Sequence, residues 1–130
     1  MAGKIIADQI EHSTAGSLDT SYVVNGSAKV LVHFDASSGT PTTQNSLNVS
    51  SLGDDGVGIT QCNFTNNLGN NNYYFSGSIS GNVATATIYD TNPDTLTTSS
   101  VDIRSKYATS SAVGLADYNG QVGVIQGDLA

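Results

Sequence analysis

A period of two in the hydrophobic residues constrains the fold of this chain more than any other feature of its sequence. Between residues 25 and 64, short runs of β-forming residues are separated by the turn sequences SSGTP and LGDDGVG. Residues of opposite character alternate in the runs 28–34, 46–51 and 59–64, and no helical pattern interrupts them. Glycine and aspartate supply the backbone angles of tight turns. This stretch therefore predicts the start of an antiparallel β-sandwich or barrel.

The same alternation continues to the end of the chain, in residues 73–79, 83–89 and 97–107. Two further runs flank Asn119-Gly120, a dipeptide typical of a two-residue type I′ hairpin. Turn signals recur at intervals of about ten residues, which is the spacing typical of a sandwich. We therefore expect an all-β protein: an antiparallel β-sandwich of about eight strands, jelly-roll or Ig-like, over residues 26–130.

The composition favours a thin hydrophobic core. Hydrophobic residues make up 38% of the chain and tryptophan is absent, so the interior must be filled by medium-sized side chains. The single cysteine, Cys62, alternates with Phe64 and is predicted to be a small core residue rather than half of an intrachain disulfide. Because a small core leaves a domain marginally stable, we expect further burial between identical chains.

The net charge argues against two classes of partner. Four basic and eleven acidic residues give a formal charge of -7. Nucleic acid needs a positive protein surface, and so does an anionic membrane. We therefore expect neither nucleic-acid binding nor membrane insertion.

The first 25 residues differ from the rest and are predicted to be a docking leader. The sequence KIIADQI fits either strand alternation or one to two helical turns, and HSTAGSLDT after it resembles a linker. Its apolar run is too short for a signal peptide or a membrane helix. Neither conformation closes a core, so Ile5, Ile6 and Ile10 are the candidate assembly anchor.

The acidic and histidine residues form no spacing with catalytic meaning. His33 lies on a strand face, and Asp54-Asp55 lacks the D-x-D-x-D-G series of a calcium loop and is read as a turn. Glycan hydrolysis needs two carboxylates held across a groove, whereas the acids here are scattered over turns and polar faces. We expect no enzyme activity, no metal and no cofactor.

Binding through loops remains as the expected activity. Sugar recognition uses exposed aromatic rings together with amide and hydroxyl groups. The Asn-rich loop after Phe64 has this composition, and Tyr74 is a better candidate than Tyr73, which alternates with Phe75 and is expected in the core. The candidate ligand or partner residues are Asn70, Asn71, Asn72, Tyr74, Tyr118 and Asn119.

Several of these segments carry a resemblance to a known group of proteins. The segments are Ala28–Phe34, Ser46–Ser51, Asp54–Gly58, Cys62–Thr65 and Asn70–Tyr73, preceded by the KIIADQI leader. In this order the chain resembles the small tail-fibre-like virion proteins of tailed bacteriophages, especially those of aquatic bacteria. The resemblance covers residues 4 to 75, and the remainder is similar only in style.

The resemblance implies a β-sandwich displayed on a virion after synthesis in the bacterial cytoplasm. It implies a homotrimer whose leader attaches it to other virion proteins, and a host surface glycan is a further expected partner. Two roles stay open: a tail-fibre or fibre-tip module for host adsorption, and a capsid or tail decoration or connector that stabilises the particle. A glycan-cleaving enzyme is the least favoured class.

Overall fold

The computed structural model describes residues 6–14, 16–79 and 86–128, and these fold mostly into antiparallel β-strands, as predicted. In chain order the strands are β1 (Gln9–His12), β2 (Gly16–Asp19), β3 (Ala28–Asp35), β4 (Thr42–Leu47), β5 (Val49–Asp54), β6 (Ile59–Phe64), β7 (Tyr74–Ile79), β8 (Ala86–Thr91), β9 (Ser100–Ala108), β10 (Val113–Leu115) and β11 (Gln121–Gln126). An α-helix, α1 (Thr20–Gly26), precedes β3, and a short 3₁₀ helix (Pro93–Thr95) precedes β9. The predicted strand over 83–89 lies partly outside the described residues.

One large sheet has the strand order β4-β3-β11-β7, and each neighbouring pair is antiparallel. In its centre, Val32 of β3 lies opposite Ser46 of β4 on one side and Gly123 of β11 on the other. Val32 is 3% exposed and belongs to a strand that is paired on both sides, while β4 and β7 form the two edges of the sheet.

The other large sheet is built around β9. Arg104 of β9 lies opposite Ile59 of β6 on one edge and opposite Asp90 of β8 on the other. Strand β5 extends the sheet beyond β6, and β10 pairs with the last residues of β9, where Val113 lies opposite Ala108. All of these pairs are antiparallel.

Both large sheets contribute side chains to one hydrophobic core. The buried strand residues of this core are Val30, Val32, Phe34, Cys62, Phe64, Val101, Ile103 and Ile125. They follow the period of two that the sequence predicts for β3, β6 and β9. Each such side chain stabilises the fold by about 1.5–3 kcal/mol relative to an exposed position. The core position predicted for Cys62 is confirmed, since Cys62 is fully buried.

The predicted single run over residues 46–51 is wrong, because the chain breaks in its middle. Asn48 has φ 59°, in the left-handed region that asparagine adopts more readily than most residues. The segment before it forms β4 of one sheet and the segment after it forms β5 of the other. Asn48 thus carries the chain from one sheet to the other.

The predicted hairpin at Asn119-Gly120 is also wrong. Gly120 has φ 58°, but Asn119 is not among the described non-glycine residues with positive φ, as a type I′ turn would require. The flanking strands do not pair with each other: β10 pairs with β9, whereas β11 pairs with β3 and β7. This segment therefore crosses between the sheets.

The N-terminal segment is more regular than the sequence predicts. Strand β1 pairs with β2, so the linker expected over residues 12–20 is wrong for residues 16–19. Asp19 caps α1 by accepting a hydrogen bond from the Ser21 backbone N–H at 2.8 Å, and this bond lowers the pKa of the Asp19 carboxyl. At the other end of α1, the buried Lys29 ammonium donates to the carbonyl oxygen of Val24.

Candidate functional site

The Asn-rich loop between β6 and β7 is pinned to the body of the protein at both ends. Leu68 is buried and its backbone N–H donates to the Thr98 carbonyl oxygen at 2.8 Å. Tyr73 is buried at the other end, where its hydroxyl donates to the Ser100 carbonyl oxygen at 3.2 Å. Burial raises the pKa of Tyr73 to about 12, so the hydroxyl remains a donor at neutral pH. The residues between these two anchors are exposed.

Within the loop, the asparagine side chains have different partners. The Asn70 side-chain oxygen accepts a hydrogen bond from the Asn72 backbone N–H at 2.8 Å, an Asx turn. The Asn71 amide reaches the Leu96 carbonyl oxygen at 3.5 Å, the limit of a hydrogen bond. Asn70 therefore shapes the loop, and it presents Asn72 beside the start of β7.

A cleft of about 340 Å³ lies between this loop and the end of β11. Asn70, Asn72 and Tyr74 line one side, and the facing residues come from the end of α1 and from the segment after β11: Asn25, Gly26, Gln126, Gly127 and Asp128. These two groups of residues come together because the pairing of β7 with β11 places Tyr74 directly opposite Gln126.

Two hydrogen bonds and one close backbone approach hold the walls of the cleft together. The Gly69 backbone N–H donates to the Asp128 carbonyl oxygen at 2.8 Å, and the Gln126 side chain donates to the Gly26 carbonyl oxygen at 3.1 Å. At Gly127, an added Cβ would lie 2.7 Å from the Cβ of Tyr73, closer than real Cβ contacts allow. A side chain at position 127 would push the Asn-rich loop away, so glycine there permits the close approach.

The lining suits a neutral, hydroxyl-rich ligand. Tyr74 is 80% exposed, so its ring face is open for stacking, while the amides of Asn72 and Gln126 offer both donors and acceptors. The carboxylate of the exposed Asp128 adds acceptor oxygens. Sugars combine apolar ring faces with hydroxyl groups and are matched by this set of side chains.

The structure does not bring all of the predicted site residues together. Tyr118 and Asn119 lie just before β11, and the Tyr118 carbonyl oxygen accepts from the Ala36 backbone N–H at 3.0 Å. Tyr74 and Gln126 lie at the opposite end of β11, about 17 Å away at the rise of an antiparallel strand. The structure therefore does not bring Tyr118 and Asn119 together with the Asn-rich loop.

The predicted assembly anchor is only partly described. Ile5 lies outside the described residues. Ile6 and Ile10 are 82% and 53% exposed, and Ile10 belongs to β1, where it lies opposite Leu18. Their exposure leaves both side chains accessible to a partner.

Sequence reasoning missed the half of the cleft that comes from residues distant in the chain. Asn25, Gln126 and Asp128 carried no local signal, because only the pairing of β11 with β7 brings them to the Asn-rich loop. The exposure expected for Tyr74 and the core position expected for Tyr73 are both found.

Asp54, which the sequence raises and reads as part of a turn, has a structural role. Asp54 accepts a hydrogen bond from the Gly56 backbone N–H at 3.0 Å, which closes the turn between β5 and β6. Among the described residues, no group of three or more histidine, cysteine or acidic side chains is arranged to hold a metal ion. No helix in the described ranges has the length and apolar character needed to cross a bilayer.

Comparisons with known proteins add no assignment. No protein-family model, no curated protein and no solved structure matches the chain.

Proposed function

We propose that the chain is a structural protein of a bacteriophage particle, whose β-domain is displayed for host adsorption and binds a surface glycan. The observation that carries the binding role is the cleft in which the exposed Tyr74 stands beside Asn72, Gln126 and Asp128. An aromatic face next to amides and a carboxylate binds hydroxyl-rich ligands without any need for a reactive centre. We therefore infer binding rather than catalysis.

The two large sheets support the display role. We propose that they pack face to face as a β-sandwich, since both send alternate side chains into one shared core. Whether the layout is jelly-roll or Ig-like stays a prediction. A rigid sandwich presents loops at its ends, where recognition residues can vary without disturbing the core.

Binding can be tested with purified bacterial surface polysaccharides immobilised for biolayer interferometry. We expect at least one to bind, and Tyr74→Ala to weaken that binding about tenfold or more, as loss of a stacking aromatic does in a binding hot spot. Because Tyr74 is 80% exposed, its removal leaves the fold intact.

Asn119→Ala serves as the matched control, since Asn119 is exposed at the far end of β11. Binding of no polysaccharide by the folded protein would contradict the adsorption role. Equal losses of polysaccharide affinity in the Tyr74→Ala and Asn119→Ala variants would exclude the cleft as the binding site.

The second candidate role is a decoration or connector that stabilises the capsid or tail. The exposed apolar residues Ile6, Ile10 and Leu18 of the leader favour it, because such side chains need a neighbour in an assembly. Antibodies against the chain, imaged on virions by electron microscopy, distinguish the roles. Labelling at a fibre tip supports adsorption, whereas regular labelling over the shell or tail tube supports decoration.

A further inference from the structure

A second cleft lies next to the one beside Tyr74. It measures about 410 Å³, compared with about 340 Å³ for the first. The first residues of β3 line it together with Leu47, Asn48, Asn66 and Asn67. We call it the Asn67 cleft and the first one the Tyr74 cleft. Each is at the small end of the size range of ligand sites in proteins, about 300–1,000 Å³.

Strand order places the two clefts side by side at one end of the β4-β3-β11-β7 sheet. The start of β3 and the end of β4 line the Asn67 cleft, whereas the end of β11 and the start of β7 line the Tyr74 cleft. Strands β4 and β7 are three strand spacings apart, which is about 14 Å. A ligand that occupies both clefts must therefore be longer than a single sugar ring.

The Asn-rich loop forms one wall along both clefts. At the Asn67 cleft, the Asn66 backbone N–H donates to the Asn48 side-chain oxygen at 2.7 Å. At the Tyr74 cleft, the Gly69 backbone N–H donates to the Asp128 carbonyl oxygen at 2.8 Å. The loop is therefore held at both clefts before any ligand arrives, which reduces the entropy lost on binding.

The surface between the two clefts is open. Gly26 lines the Tyr74 cleft, and the next residue, Ser27, lines the Asn67 cleft. Both residues are exposed, and no other part of the described chain lies within 4 Å of a Cβ added at Gly26. A chain-like ligand can therefore cross the α1–β3 junction without meeting a side chain.

The Asn67 cleft has the same chemical character as the Tyr74 cleft. Leu47 is 50% exposed and provides an apolar surface for a ring face. Among the described residues, the Asn67 side-chain amide has no hydrogen-bond partner, so it is free to bind hydroxyl groups. The Lys29 ammonium is buried and already donates to the carbonyl oxygens of Val24 and Ser27, so it does not offer a free cation to an anionic ligand.

We propose that the two clefts are neighbouring subsites for one neutral oligosaccharide. It lies across the α1–β3 junction, with one sugar against Tyr74 and another against Leu47 and Asn67. The inference rests on the glycan-binding role proposed above and specifies its ligand as an extended chain rather than a single terminal sugar. Because both sugars belong to one molecule, the second contact forms within the complex and adds affinity.

The test uses isothermal titration calorimetry of the full chain. The probes are single sugars and size-separated fragments released from neutral bacterial surface polysaccharides by partial acid hydrolysis. We expect the affinity to increase at least about tenfold between the single sugars and the fragments long enough to reach both clefts.

Substitutions separate the two subsites. We expect Asn67→Ala to lower the affinity for long fragments about threefold to tenfold, which corresponds to one hydrogen bond, and to leave the affinity for single sugars unchanged. Tyr74→Ala is expected to lower both affinities. Asn45→Ala makes the same change as Asn67→Ala at an exposed residue of β4 outside both clefts, and is expected to bind like the wild type.

Two outcomes overturn the two-subsite proposal and leave the glycan-binding role standing. The first is equal affinity for single sugars and long fragments, and the second is an Asn67→Ala chain that binds long fragments as tightly as the wild type does, provided that Tyr74→Ala still weakens binding. If the folded protein binds neither the fragments nor the intact polysaccharides, the glycan-binding role itself is contradicted, and the two subsites with it.

Discussion

At the scale of single residues, Asn48 determines where the chain leaves one sheet for the other. Its left-handed backbone is accompanied by three hydrogen bonds with Asn66. The Asn48 side-chain oxygen accepts from the Asn66 backbone N–H at 2.7 Å and from the Asn66 side-chain amide at 3.2 Å, and the Asn48 amide donates to the Asn66 carbonyl oxygen at 3.0 Å. The side chain thus ties the β4–β5 junction to the loop after β6.

We expect Asn48→Ala to lower the free energy of unfolding by about 2 kcal/mol, because alanine is strained at positive φ and the contacts with Asn66 are lost. Asn48→Gly removes the contacts but not the backbone freedom, so we expect a smaller loss of about 1 kcal/mol. Urea denaturation measures both, with Asn45→Ala at an exposed position of β4 as the control. Equal losses in Asn48→Ala and Asn48→Gly would show that backbone strain has no part in the effect.

At the scale of elements, one acidic side chain links two strands of the β9 sheet. Asp90 of β8 accepts from the Arg104 guanidinium at 2.9 Å and from the Lys106 ammonium at 2.7 Å. Burial by itself raises the pKa of Asp90, but the hydrogen bonds from Lys106 and Arg104 outweigh it and hold the pKa below its ordinary value. The folded state therefore favours the ionised carboxylate.

We expect Asp90→Asn to destabilise the protein by at most about 1 kcal/mol at pH 7, since the pair is partly exposed to solvent. The folded pKa of Asp90 is lowered, so its stabilisation is complete above the unfolded pKa of about 3.9 and is lost as the pH falls through the folded value.

Urea denaturation of wild type and Asp90→Asn between pH 7 and pH 3 measures this dependence. The difference in the free energy of unfolding between wild type and Asp90→Asn is expected to shrink below about pH 4. Asp55→Asn, at an exposed turn position, provides the control. If the difference in unfolding free energy instead grew on acidification, the lowered pKa of Asp90 in the folded state would be contradicted.

At the scale of the whole molecule, the shared core makes Cys62 a reporter of global opening. Cys62 is 0% exposed between the two sheets, and burial raises the pKa of its thiol to about 12. The thiolate is the reactive form, so the folded protein presents almost none of it at pH 8.

We expect a thiol-specific reagent at pH 8 to label Cys62 only through unfolding, at a rate that increases with urea in parallel with the loss of β-sheet circular dichroism. If identical chains associate, as the small core leads us to expect, labelling also slows as the protein concentration increases, because association stabilises the folded state. Labelling at the rate of a free thiol without urea would contradict the buried position of Cys62.

The sequence by itself determined the structural class and the side of the strand on which each side chain lies. The alternation in β3, β6 and β9 predicted which residues point inward, because side-chain direction along a strand is set locally by the pleat. The exposure of Tyr74 beside the buried Tyr73 follows from the same rule.

Only the tertiary structure decided which segments pair with which. The Asn119-Gly120 dipeptide has the composition of a hairpin, yet β10 pairs with β9 in one sheet, whereas β11 lies between β3 and β7 in the other and buries Ile125 in the core. The cleft likewise depends on the opposition of Tyr74 and Gln126, which are separated by most of the second half of the chain. Strand pairing is a choice among distant partners made by burial in a common core, and no local pattern encodes it.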